Sequence, residues 1–189
     1  MWKDNCGYTS KKLQTLVQQA EATEVDTLVY KVWLNLAPPK VEFFLWLALL
    51  GKLNTKTLLL HKGILIDGSP TCLFCSEHLE TLDHLLMTCT ISWGIWCEVA
   101  AALVRLLQVR KLSSNSLVTG WPEISFTNKI QRRFWITSFF AVAWSLWMRR
   151  NEIVFQQQSV EPEVLRYMIR WRIAMWSKAW KEPLPYSVA

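Results

Sequence analysis

Cys72-Leu-Phe-Cys75-Ser-Glu-His78-Leu-Glu-Thr-Leu-Asp-His84-Leu-Leu-Met-Thr-Cys89 is the stretch on which the reading of this chain turns. Two cysteines with two residues between them let a tight turn aim both thiolates at one tetrahedral ion. His84 and Cys89 supply a second pair, with four residues between its members. On an ideal helix that offset sets the two side chains about 140° apart, so the helix is expected to loosen near Thr88 and bring Cys89 round. Three thiolates and an imidazole, with no open coordination position, describe one structural zinc ion and not a catalytic one. His78 competes for the fourth place. His84 is preferred, because His78 would leave only two residues after Cys75 and crowd the loop.

The flanks extend the pattern. Upstream stand Val32-Trp33, then Ala37-Pro38-Pro39-Lys40-Val41-Glu42-Phe43-Phe44-Leu45-Trp46, then Leu53-Asn54-Thr55 and Lys62-Gly63-Ile64. Glu80-Thr81-Leu82-Asp83-His84-Leu85 lies inside the metal stretch, and Trp93 and Trp96 follow Cys89. Farther on comes Trp144-Ser-Leu-Trp147-Met-Arg-Arg150-Asn151-Glu152-Ile-Val-Phe155. This ordered set, from about Val29 to Phe155, resembles the zinc-binding domain at the C-terminal end of plant LINE-type (non-LTR) retrotransposon reverse transcriptases. Members of that family usually carry proline just after the last cysteine, where this chain has Thr90. The departure touches the entry of the next helix and not the ligands. In a full-length family protein, the resemblance implies, such a tail packs beside other domains.

Polymerases of that family need paired aspartates to hold catalytic magnesium ions. The four aspartates here are Asp4, Asp26, Asp67 and Asp83, and no two are adjacent. Neither a Walker-type glycine-rich loop nor a His-Glu-x-x-His helix is found, and six glycines are spread through the chain. The expectation is a tail without its polymerase: a non-enzymatic, transposon-derived reading frame running from Met1 to Ala189.

With 189 residues, 51% of them hydrophobic, a domain of ordinary size can bury a true core. Twelve tryptophans enlarge that core. The five cysteines do not form a disulfide framework, since zinc claims three and leaves Cys6 and Cys97 as isolated thiols. That usage points to a reducing intracellular compartment, cytoplasmic or nuclear. The N-terminus is polar through Ala22 and shows no secretory signal, while its acidic residues and lack of arginine disfavour the usual mitochondrial presequence.

Helical signals dominate, and the expected fold is all-α around one zinc knuckle, with a brief strand pairing near Thr71 to Phe74. Residues 1–28 read as a polar segment with a short helix from Ser10. The zinc-binding domain spans 29–111. Within it a helix enters at Pro38-Pro39 and stops at Gly51, and a brief one is capped by Asn54 or Thr55 and closed by Gly63. Asp67-Gly68-Ser69-Pro70 is a turn, Thr81 opens the ligand helix, and a further helix covers about Ser92 to Arg110. Residues 112–127 read as a linker. The C-terminal region, 128–189, holds a long helix from Asn128 to Gln157 and a last one from the Glu161-Pro162-Glu163 start to about Lys181. Phe134 to Met148 is uncharged, yet it reaches only about 22 Å against a bilayer core of about 30 Å. It is expected to be a buried or partner-facing helix.

Charge is uneven. Residues 1–97 carry 8 Lys/Arg against 9 Asp/Glu, whereas residues 98–189 carry 13 against 6. Tryptophan and arginine are the residues most often found as interface hot spots. The expected docking residues are therefore Trp135, Trp144, Trp147, Arg149, Arg150, Arg166, Arg170, Trp171, Trp176 and Trp180. The favoured partner is a host protein or a second copy of the chain, bound without catalysis. The alternative is RNA or DNA, since basic groups interleaved with aromatics hold phosphates and stack bases. A membrane surface ranks below both, and no small-molecule substrate is expected.

Overall fold

Two prolines set the first helix. Pro38 is extended and Pro39 occupies the first helical turn of α1 (Pro39–Leu49), where a missing N–H costs nothing. The computed structural model describes residues 32–64, 69–107 and 128–180. The expected N-terminal helix, Cys6, Asp67 and Gly68 of the expected turn, the helix end near Arg110, the 112–127 linker and the end of the last helix at Lys181 lie outside them. Glu42 in the first turn of α1 is buried, and its Oε1 accepts the Leu34 and Leu36 N–H groups at 3.2 and 3.1 Å. The carboxylate thereby folds the incoming loop against its own helix.

Glycine closes both N-terminal helices by the same device. At the end of α1, Gly51 takes φ +63°, its N–H donates to the Ala48 carbonyl, and the Lys52 N–H donates to that of Leu47. These two bonds form a Schellman cap, which uses the left-handed conformation that glycine adopts without steric cost. Helix α2 (Lys56–His61) opens on Thr55, whose hydroxyl accepts the Leu58 N–H at 3.3 Å. It ends on Gly63, at φ +69°, with the equivalent bonds to Leu60 and Leu59.

The remaining α-helices among the described residues are α3 (Thr90–Leu107), α4 (Lys129–Gln156) and α5 (Pro162–Lys178). Asn128 caps α4 by accepting the Ile130 N–H at 2.8 Å. Among the described residues no sheet forms, and the strand pairing expected at the knuckle is a single antiparallel bridge between Thr71 and Leu79. The chain is mostly helical, as its pattern implies.

Helix α4 is the centre of the molecule. Trp135 to Ala143 are buried without interruption, and α1, α3, α5 and the metal loop pack around them. An uncharged stretch fits a run so largely covered by other elements. No described helix is long and apolar enough to cross a membrane. Two of its buried hydroxyls are bonded: Thr137 donates to the Leu36 carbonyl, and Ser145 donates to that of Ala141 at 2.6 Å while accepting from Arg172. Phe44 of α1 meets Trp144 edge-on at 5.2 Å, and Trp96 of α3 lies 5.0 Å from Phe139. One core therefore runs across the expected boundary between residues 29–111 and 128–189.

An ion pair crosses it too. Glu80, just before the ligand helix, has no exposed surface. Its Oε1 accepts from Arg150 of α4 through Nη2 at 2.8 Å and Nε at 3.1 Å, and from the Lys56 N–H at 2.9 Å. The guanidinium also lies over the Trp147 ring at 5.2 Å. Removing one partner of such a pair strands a buried charge, at a cost of about 3–5 kcal/mol. Arg150→Ala is accordingly expected to lower unfolding free energy by about that amount in denaturant titration, whereas Glu80→Gln with Arg150→Met recovers part of it. A loss below about 1 kcal/mol for Arg150→Ala would assign the pair no structural weight.

Candidate metal centre

The knuckle is shaped by its backbone before any ion is considered. The Phe74 N–H faces Cys72 Sγ at 3.4 Å, and the Ser76 N–H donates to the Cys72 carbonyl at 2.9 Å. Ser76 adopts φ +59° and reverses the chain. The Cys72 N–H then donates to the His78 carbonyl at 2.7 Å, and the Glu80 N–H to that of Pro70 at 2.8 Å. Cys72 and Cys75 face inward from this frame.

His84 and Cys89 reach it by the expected loosening. Thr81 opens the segment, its hydroxyl accepting the His84 N–H at 3.1 Å. His84–Thr88 then forms one π-helical turn, in which the Cys89 N–H donates to the His84 carbonyl at 2.7 Å. Bonding five residues back widens the turn, and single π turns recur at functional sites. Cys89 itself leaves the helix with φ −57° and ψ 137°. The Ser92 hydroxyl donates to the Leu85 carbonyl at 2.6 Å and the Trp96 indole N–H to that of Leu86 at 2.7 Å. Helix α3 thus satisfies the acceptors that the π turn exposes.

The four donor atoms lie within 4.8 Å of one another. Cys72 Sγ and Cys89 Sγ are 3.9 Å apart, and Cys75 Sγ is 3.3 Å from His84 Nε2. A zinc–sulfur bond of about 2.3 Å gives a tetrahedral sulfur–sulfur edge of about 3.8 Å. The arrangement fits that ion. His84 Nδ1, on the far side of the ring, faces the Thr88 hydroxyl at 3.4 Å, which leaves Nε2 as the ligand atom and orients the imidazole. His78 is exposed, its ring tilted beside that of His84 with centroids 5.2 Å apart, and it is not among the four.

Electrostatics favours thiolate at the helix entrance. A hydrogen bond from the Cys72 thiol, with the Ile91 and Ser92 N–H groups at the start of α3, lowers Cys89 to about 5 against burial. The same thiol–thiolate bond, then burial, pushes Cys72 up. Metal binding by such thiols releases protons.

The ten expected docking residues separate into inner and outer ones. Trp135, Arg149, Arg150 and Trp180 are buried. Arg149 bonds Glu152 and Gln158, and Trp180 packs against Phe134 under the Arg133 guanidinium. These four are spent on internal contacts, which corrects their placement on a docking face. Trp144, Trp147 and Trp176 are half-buried against the core. Arg166 pairs with Glu98 of α3 at 2.8 Å and with Glu163. Arg170 and Trp171 are exposed on α5. Val164 shares that exposure, as do Tyr167 and Met175, which the sequence reading did not single out. Their spacing was legible, because positions 164, 167, 171 and 175 recur with helical period.

Serine at Cys72 or Cys89 is expected to abolish stoichiometric metal binding and lower the melting temperature by several degrees, whereas serine at exposed Cys97 changes neither. Metal analysis and thermal unfolding of the purified chains check this. The wild type should also release its ion as pH falls, since protons compete for the thiolates and the imidazole.

Comparison with known families places residues 8–96 on a family model described as zinc-binding in reverse transcriptase. Comparison with curated proteins and with solved structures found no match. The matched span contains the knuckle, the π turn and the four residues whose donor atoms cluster there. Over residues 8–96 the chain is thus similar to the zinc-binding domain of reverse transcriptases.

Proposed function

We propose that this chain is a non-catalytic interaction module, folded around one structural zinc ion at Cys72, Cys75, His84 and Cys89, that docks on a protein partner through the outer face of α5. The observation that carries this reading is an apolar stripe turned to solvent. Val164, Tyr167, Trp171 and Met175 stand exposed along one side of α5, Trp171 at 48%, with Phe155 at 78% near the end of α4. The inner side of α5, through Leu165 and Ile169, is already buried on the core. Aromatic groups set in an exposed apolar patch beside an arginine, here Arg170, are the usual anchors of protein interfaces.

The absence of catalysis is part of the proposal and rests on the sequence, in which no two aspartates adjoin. No template-dependent nucleotide incorporation is expected from the purified chain with magnesium or manganese; incorporation that survives stringent purification would overturn this point.

Nucleic acid is the second reading, and Tyr167, Arg170 and Trp171 on one helix favour it specifically, since rings one turn apart beside a cation can stack bases. The two readings diverge in salt. Association with a protein partner is expected to persist after nuclease treatment and to change little between about 50 and 200 mM salt, while Tyr167→Ser with Trp171→Ser removes it. Association lost with nuclease, or falling by orders of magnitude over that salt range, would overturn protein docking.

A further inference from the structure

We propose that Cys75, Glu77 and His78 form an outer capture site through which zinc enters and leaves the four-residue centre. The proposal rests on the reading of that centre as a zinc site. A sulfur of Cys75, a carboxylate oxygen of Glu77 and a ring nitrogen of His78 all lie within 4.8 Å of one another. Sulfur, oxygen and imidazole nitrogen are all ordinary zinc ligands, and three of them leave a position for water.

Access decides the route. Cys72 and Cys89 are buried, so a hydrated ion from solvent cannot meet them first. Cys75 and His84 are half-exposed and form the outer edge of the tetrahedron. On that same edge, the side chains of Glu77 and His78 are about two-thirds exposed, 67% and 66%, and their donor atoms stand 3.9 Å apart. The His78 ring lies 5.2 Å from the His84 ring. This placement is fixed by the fold, because the turn at Ser76 and the bond from the Cys72 N–H to the His78 carbonyl hold residues 76 to 78 over the cysteines.

Transfer between the two sites needs no oxidant or reductant. The Cys75–zinc bond persists throughout, while the bonds to Glu77 and His78 break and those to His84, Cys72 and Cys89 form. Water ligands return to solvent, as do the protons of the thiols that become thiolates. Because Glu77 and His78 are absent from the final coordination shell, they act on the barrier and leave the end state alone. Loading and release must then change by the same factor, with the equilibrium constant unaltered.

The test uses the full chain, stripped of metal at low pH and reloaded with Zn²⁺ or Co²⁺. Glu77→Gln with His78→Ala alters two exposed side chains, so folding should be retained. Expected are one ion per chain and an unchanged cobalt absorption band. Loading rates, and release rates to a chromophoric chelator, should both fall, and by the same factor. Wild-type rates in the variant at full stoichiometry would overturn the proposal. So would a shifted cobalt band or lost stoichiometry, which would make His78 a resident ligand. A wild-type chain that takes up no metal would instead remove the four-residue centre itself, a failure distinct from either.

Discussion

The meeting of fully buried Glu80 with Arg150 is the constraint on which the rest of this structure depends. Glu80 stands between the knuckle and the ligand helix, and the same oxygen that takes two guanidinium bonds also takes the first N–H of α2. One atom thus sets the metal loop, the start of α2 and the second half of the central helix in register. Such a pair adds little net stability compared with well-packed apolar residues, but it tolerates no loose partner. Its effect is to make the metal loop and α4 parts of one folding unit.

The π turn is the second constraint, and it links coordination to packing. Regular helix would point His84 and Cys89 apart. Widening by one residue brings both to the site, at the expense of carbonyls that a regular helix would have satisfied. Ser92 and Trp96 supply the missing donors from α3. Trp96 also packs against Phe139 of α4, so the same side chain that completes the metal loop belongs to the core. Metal site, π turn and central helix are adjacent layers of a single interior.

Local physics was the legible part. Caps at Thr55, Thr81 and Asn128, stops at Gly51 and Gly63, and the four ligands with the loosening near Thr88 all follow from residues a few positions apart. The charge-free stretch of α4 announced burial, though not by what. Pairings distant along the chain were not legible. Arg150 read as an exposed base because nothing within one helical turn neutralises it fully, and its partner stands 70 residues earlier. Trp135 and Trp180 read as anchors because residue type alone cannot separate a core indole from an interface one. Helix α5 is apolar on two sides. The stripe through Leu165 and Ile169 met the core, and a second one, through Tyr167 and Trp171, stayed outside it.

If the metal and the central helix are one unit, the helix must report the loss of an ion that it never touches. Amide hydrogen exchange of the full chain, with its metal and after removal by chelator, measures this directly. The account predicts that protection falls together in His84–Thr88 and in the buried run from Trp135 to Leu146. Full retention of protection in α4 after complete metal release, with exchange rising only in the knuckle, would contradict it.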